Sequence, residues 1–133
     1  MSSRMVYTAL TAYSDIGLLA VRVVLGAVFL FHGWPKVSKS AALAQGMKWS
    51  SWQVLLLGVW ESVGALSVLL GVYPQIGAIM LGIVMLGALY HKIVMWKVPF
   101  TSMNSTGWEF DLALLAMSVS ITLLGGGAIA LLL

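Results

Sequence analysis

Apolar residues run almost unbroken through four stretches of the chain, about 16–34, 52–71, 75–96 and 108–131, and polar residues gather in the segments between them. Each stretch has roughly the 20 residues that a helix rising 1.5 Å per residue needs to cross about 30 Å of hydrocarbon. The weak alternation over about ten residues that marks a membrane β-strand is missing. The pattern predicts an all-α membrane protein, an antiparallel four-helix transmembrane bundle forming a single domain over 1–133. Pro35 with Lys36 is expected to end the first span at Trp34, because a proline disfavours helix in the residue before it. KVSKSAALAQGMKWSS is too polar to cross and reads as a short helix on the interface. VYPQ predicts a tight turn that makes the second and third spans antiparallel neighbours, and KVPFTSMNSTG leads into the fourth.

Composition agrees with a bilayer. The chain is 61% hydrophobic and 8% charged, with a mean hydropathy of +1.02, whereas soluble domains carry about a quarter charged residues. It has no cysteine, so a disulfide, a thiol relay or a cysteine-held cluster cannot form within it, and any redox chemistry must be borrowed. Two histidines are too few for a buried haem or zinc site unless carboxylates or partner chains contribute ligands, so no intrinsic metal or cofactor is expected. MSSRMVYTALTAYSDIG lacks a cleavage pattern and reads as part of a retained anchor.

Charge placement predicts orientation. Lys36, Lys39, Lys48, Lys92 and Lys97 fall on the face of the two longer loops, while the opposite face has Arg4 with Arg22 buried below it. By the positive-inside tendency the long loops are cytoplasmic and both termini outside. Trp34, Trp49, Trp52, Trp96 and Trp108 lie on the long-loop side as an aromatic belt, and Tyr7, Tyr13 and Tyr73 mark the other. Lipid is the first partner implied, with a protein partner or a second copy beside it; nothing points to nucleic acid.

The ionisable residues inside the spans carry the candidate chemistry. Arg22 falls about 9 Å and Glu61 about 15 Å below the terminus-side surface. A charge there costs about 2.5–3.5 kcal/mol on insertion scales, so each should find a partner, and an arginine can cover the difference in depth. A salt bridge between Arg22 and Glu61 is therefore expected. His32 and His91 share one level, about 6 Å below the long-loop surface, with Glu109 and Asp111 near it. Arg22, Gly26, Phe29, Gly33 and Lys36 follow one helix face, with His32 at its edge. Small residues predict the inner faces elsewhere: Gly58, Gly64 and Ala65 beside Glu61; Gly87 and Ala88 beside His91; Ala113, Ala116, Ser120 and Gly127 in line with Glu109. Each group also has a plainer role. Arg22 with Glu61 would clamp two helices, Glu109 would complete a capping box begun by Thr106, Asp111 suits a helix N-terminus, and Lys92 and Lys97 would reach to headgroups.

Arg22-x3-Gly26-x5-His32-Gly33-x2-Lys36, then Glu61-x2-Gly64-x6-Gly71, then Gly107-x-Glu109 running on to Gly125-Gly126-Gly127, resembles in order and spacing the DoxX family of small four-helix bacterial and archaeal membrane proteins. Where that family often has a Gly-Pro-Gly turn and a polar tail, this chain reads GGGAIALLL. The resemblance implies a multi-pass protein of a prokaryotic cell (inner) membrane. Since the family includes DoxD-like subunits of thiosulfate:quinone oxidoreductase, it also implies a membrane component of a quinone-linked redox system. The residues are compatible with a quinone head group near the bilayer edge: His32 and His91 as donors to its carbonyl oxygens, Glu109 or Glu61 as the proton route, Trp34 as a stacking ring, and Lys36 beside them. Lacking an electron carrier, the chain is not self-sufficient as an oxidoreductase. The alternative is a non-catalytic subunit that anchors a larger complex, in which buried charges only set helix register. A proton path or small transporter is a third reading, against which four unbroken spans argue.

Overall fold

The computed structural model describes residues 8–131. Arg4 and Tyr7, used above to mark the terminus-side surface, lie outside the described residues. A short turn, α1 (Thr8–Thr11), leads into α2 (Ser14–Ser38), α3 (Ser40–Met47), α4 (Ser51–Leu70), α5 (Pro74–Tyr90) with a π-helical turn at His91–Met95, and α6 (Trp108–Leu124). There is no strand among the described residues. The fold is all-α, and α2, α4, α5 and α6 make the bundle: α2 packs on α4, α4 on α5 and α5 on α6, with a thinner α2–α6 contact closing the ring. Three helical stretches, Ser14–Ser38, Ser51–Leu70 and Pro74–Met95, are long and apolar enough to cross a membrane. At 17 residues, α6 spans about 25 Å.

The predicted turn between the second and third spans is present. Gly71 takes φ 77°, which suits a residue without a Cβ. The N–H groups of Gly71 and Val72 both return to the Ser67 carbonyl, at 3.0 and 3.1 Å. Pro74 then opens α5, where its missing N–H has no partner to lose. The short helix predicted in the first long loop is present as α3.

Two boundaries differ from the sequence reading. The first is at Pro35, which does not end α2; the helix runs on to Ser38. Lys39 N–H bonds the Pro35 carbonyl at 2.7 Å and the Ser38 hydroxyl bonds the Trp34 carbonyl at 3.1 Å. The added turn also lies tightly on α4, since a Cβ on Gly58 would stand 2.8 Å from the Gly33 carbonyl and 2.9 Å from the Val37 nitrogen. This close packing on α4 holds the last turn in place despite the hydrogen bond that proline removes. The second is at Leu124, where α6 stops short of 131. Gly125 and Gly127 take φ 83° and 84°, and the chain folds back over the terminus end. There the Asp15 carboxylate accepts from Ala128 N–H at 3.0 Å, and Leu131 N–H donates to the Leu70 carbonyl at 2.9 Å.

Leu25, Phe29, Ala65, Val68, Ala78, Leu81, Met85, Leu114 and Ile121 form the core. The outer surface is also apolar, with Phe31, Val63, Ile79, Leu86 and Val119 exposed, as expected for side chains that meet lipid. In α2 the buried residues Arg22, Leu25, Gly26, Phe29 and Gly33 lie on the inner face that the sequence predicts. In α6 the buried residues are Asp111, Leu114, Ser118 and Ile121. Ala113 and Ala116, expected inside, are exposed. The true inner face starts two residues later, about 200° around the helix.

Candidate functional site

The predicted Arg22–Glu61 salt bridge is not made. Arg22 is fully buried and turns toward the terminus end, where its guanidinium donates to four backbone carbonyls. Nε reaches Val68 at 2.8 Å, Nη2 reaches Leu69 at 3.3 Å, and Nη1 reaches Gly126 at 3.0 Å and also Ile129. Val68 and Leu69 are in the last turn of α4, whose final carbonyls lack intrahelical donors and carry the negative end of the helix dipole. Gly126 and Ile129 belong to the folded-back segment, which has no helix to satisfy its backbone. Irregular backbone at membrane depth needs internal partners, and Arg22 supplies them. Gly71 makes room, because a Cβ there would stand 2.5 Å from Nη2.

Glu61 pairs with Lys36 instead. Lys36 Nζ lies 3.0 and 2.9 Å from the two carboxylate oxygens, and the Glu61 side chain is only 3% exposed. Because α2 continues past Pro35, Lys36 stays on the Gly33 face and looks onto α4. Gly33 and Gly58 bring the two backbones close enough for the pair to form.

A second pair sits across the bundle. Lys92, in the π-helical turn, places Nζ 2.7 Å from Asp111 Oδ2. It also donates to Thr106 Oγ1 at 3.0 Å and lies 5.9 Å from the centre of the Phe110 ring. Trp96 N–H returns to the His91 carbonyl five residues back, at 2.8 Å. This widened turn sets His91, Lys92 and Trp96 around one point, as single π turns often do at functional sites.

Both ion pairs line one cavity of about 620 Å³ at the long-loop end of the bundle. His32, Lys36 and His91, which the sequence reading placed in a ligand site, are on its wall, with Glu61. The His91 ring lies 5.5 Å from Trp96 and 6.2 Å from Trp49, centre to centre. Its Nδ1 is 2.8 Å from the Gly87 carbonyl; a carbonyl only accepts, so Nδ1 carries a proton, and in the neutral form of the ring Nε2 is an acceptor. The His32 ring packs edge-on against Phe110 at 5.8 Å.

Two predicted site residues lie elsewhere. Glu109 is exposed and accepts from the Thr101 hydroxyl at 2.7 Å. It builds no capping box; the first N–H groups of α6 donate instead to the Pro99 and Phe100 carbonyls, at 3.3 and 3.0 Å. Trp34, 59% exposed, faces outward. Their places on the cavity wall are taken by Asp111 and by Trp49, Trp60 and Trp96. Reading Lys92 as a headgroup anchor concealed its carboxylate partner. One available signal was that Asp111 and Leu114, not Glu109, fall in register with Ser118 and Ile121.

The DoxX family pattern matches residues 17–95, more than half of the chain. The chain belongs to the DoxX family. Within that matched segment stand Arg22, His32, Lys36, Glu61, His91 and Lys92; Asp111 and the rest of α6 follow it. Family membership and the three long apolar helices make this a multi-pass membrane protein in contact with lipid. This DoxX chain is also similar to a Bacillus subtilis (strain 168) protein named "Putative oxidoreductase CatD", 28% identical over 120 residues, which are 88% of this chain and 85% of that relative. No solved structure matches it.

Proposed function

We propose that the protein is a membrane component of a redox system and holds a neutral, lipophilic ligand of the quinone type in this cavity. Three things support the reading: membership of the DoxX family, a relative whose printed name is an oxidoreductase, and, above all, the cavity's charge balance. Each ammonium on the wall is matched by a carboxylate, Lys36 by Glu61 and Lys92 by Asp111. An anionic ligand would find no unmatched positive charge, whereas a flat neutral ring would find aromatic and aliphatic walls with a few polar groups. The volume is within the roughly 300–1,000 Å³ of small-molecule sites.

A quinone-type ring, when bound, supplies two-electron, two-proton chemistry, and electrons would come from a partner protein, since this chain has no cysteine to hold a cluster. The side chains fit that task. His32, which makes no hydrogen bond among the described residues, can donate to a ring carbonyl. The acceptor Nε2 of His91 suits the hydroxyl of a reduced ring. Lys36 spends two contacts on Glu61 and keeps a third N–H to donate. Glu61 and Asp111, both nearly buried, are placed to exchange protons with the ring through Lys36 and Lys92. In this reading the long-loop end faces the cytoplasm, with Lys39, Lys48 and Lys97 outside the cavity to bias the orientation.

Titration of the purified protein with ubiquinone and menaquinone analogues, followed by quenching of tryptophan fluorescence, tests the proposal. Trp49, Trp60 and Trp96 line the cavity, so binding should be visible directly. The expected result is saturable quenching in wild type and affinity weakened by about tenfold in His91→Ala, the worth of one hydrogen bond to a buried ring. Equal and negligible affinity in both proteins would remove the proposal.

A further inference from the structure

The cavity opens at two places that differ in depth and in lining. Toward the long loops it ends among Trp49 and Trp96 around His91 and Lys92, which bonds Thr106; Trp96, 56% exposed, and the exposed Thr106 line it there, so this mouth opens onto polar and charged groups. Toward the flank between α4 and α5 its wall includes Leu56, Trp60 and Ile83, yet these same side chains are 56%, 42% and 54% exposed. A residue that both lines a cavity and stands on the outer surface marks an opening.

The depth of that opening decides what it faces. Trp60 lies eleven residues before Gly71, roughly 16 Å along α4 from the helix end and so near the middle of a bilayer about 30 Å thick. Exposure there is exposure to acyl chains. Further toward the terminus end the two helices are shut together: a Cβ on Gly77 would stand 2.8 Å from the Gly64 carbonyl. The Trp60 indole N–H crosses between them to the Met80 carbonyl at 2.8 Å. Beyond this tie the close contact gives way to the cavity.

We infer that the cavity is loaded sideways from the lipid through the seam between α4 and α5, so that its ligand is a neutral molecule dissolved in the membrane and not a solute from the loop face. This deepens the proposed function and rests on it only for the ligand's redox character. The seam has apolar walls and holds no charged side chain, and a polar solute would shed its water to pass. A lipophilic ring would slide from one apolar medium into another and meet the polar groups only at the inner end.

Collision of paramagnetic probes with a spin label inside the cavity tests the inference without a quinone. Because the chain has no natural cysteine, Leu57→Cys and Val84→Cys each give a single labelling site, one on either helix of the seam. The labelled full-length protein is placed in phosphatidylethanolamine–phosphatidylglycerol vesicles, and power saturation is compared for molecular oxygen, which dissolves in lipid, and for a water-soluble nickel chelate. Oxygen accessibility should exceed chelate accessibility by roughly threefold or more at both sites, since the chelate would have to be desolvated to follow the same path. Adding Ile83→Trp, or Leu56→Trp from the opposite side, should cut the oxygen signal by about half through filling of the seam. Chelate accessibility above that of oxygen, or an oxygen signal unchanged by both plugs, would overturn lateral entry. A failed quinone titration beside an intact oxygen result would dismiss the quinone and leave the lipid route standing.

Discussion

Arg22→Leu should unfold the terminus end of the bundle and lower the thermal midpoint in detergent by roughly 10 °C, corresponding to about 3 kcal/mol. The loss is large because the guanidinium serves four carbonyls at once, those of Val68, Leu69, Gly126 and Ile129. Without it, carbonyls of α4 and of the folded-back segment would be buried with no donor. Arg22→Lys should recover less than half of the loss, since a single ammonium cannot spread its three donors over the end of α4 and the folded-back segment together. Arg22 and Glu61 should also behave independently. A double-mutant cycle between them is expected to give a coupling within about 0.5 kcal/mol of zero, the usual figure for groups without shared partners. Thermal melts of the single and double variants check both statements, and a strong coupling would restore the inter-helix salt bridge that the geometry denies.

Glu61→Leu is the second large effect, and it separates stability from binding. Removing the carboxylate leaves the Lys36 ammonium, only 19% exposed, beside an apolar wall without a counter-charge. Breaking a buried pair from one side costs about 3–5 kcal/mol; a lysine able to extend toward the loop surface should bring this to the lower end. Converting Lys36 to Met in the same protein should return most of the stability, because an apolar pair of similar volume is often neutral. The double variant should fold like wild type and still bind the quinone analogue at least about tenfold more weakly, having lost a donor and a proton-exchanging group together. Melts and titrations on the same preparations decide it. Restored folding with undiminished binding would make the pair purely structural.

The sequence was most legible where geometry follows from local spacing. The 3 and 4 spacing of Arg22, Gly26, Phe29 and Gly33 gave the inner face of α2 because glycine and arginine stand out from an otherwise apolar helix. VYPQ gave its turn because proline punctuates the backbone in any solvent, and the left-handed Gly71 just before it closes α4. The facing of α6 was hidden for a physical reason. In a bilayer both faces of a helix are apolar, so Leu112, Leu114, Val119 and Ile121 carry no moment to orient it, and two carboxylates two residues apart leave opposite faces equally plausible. The partners of Arg22 were hidden because backbone carbonyls leave no mark in a sequence, although Gly125-Gly126-Gly127 signalled that the chain would turn. Depth and the reach of an arginine point from Glu61 to Arg22, while Lys36, although on the same face, reads as a surface cation beyond Pro35. With the helix continuing one more turn, Lys36 stays in line with Gly33 and comes within reach of the carboxylate first.

The account turns on a single place, the cavity between the Lys36–Glu61 and Lys92–Asp111 pairs, and photolabelling addresses that place most directly. An azido-quinone analogue, irradiated with the protein in vesicles and mapped by mass spectrometry, should attach to peptides carrying Trp49, Trp60 or His91, and an excess of unlabelled analogue should suppress the attachment. Label spread along the outward face of α6 or on the segment 125–131, unaffected by the competitor, would contradict the account.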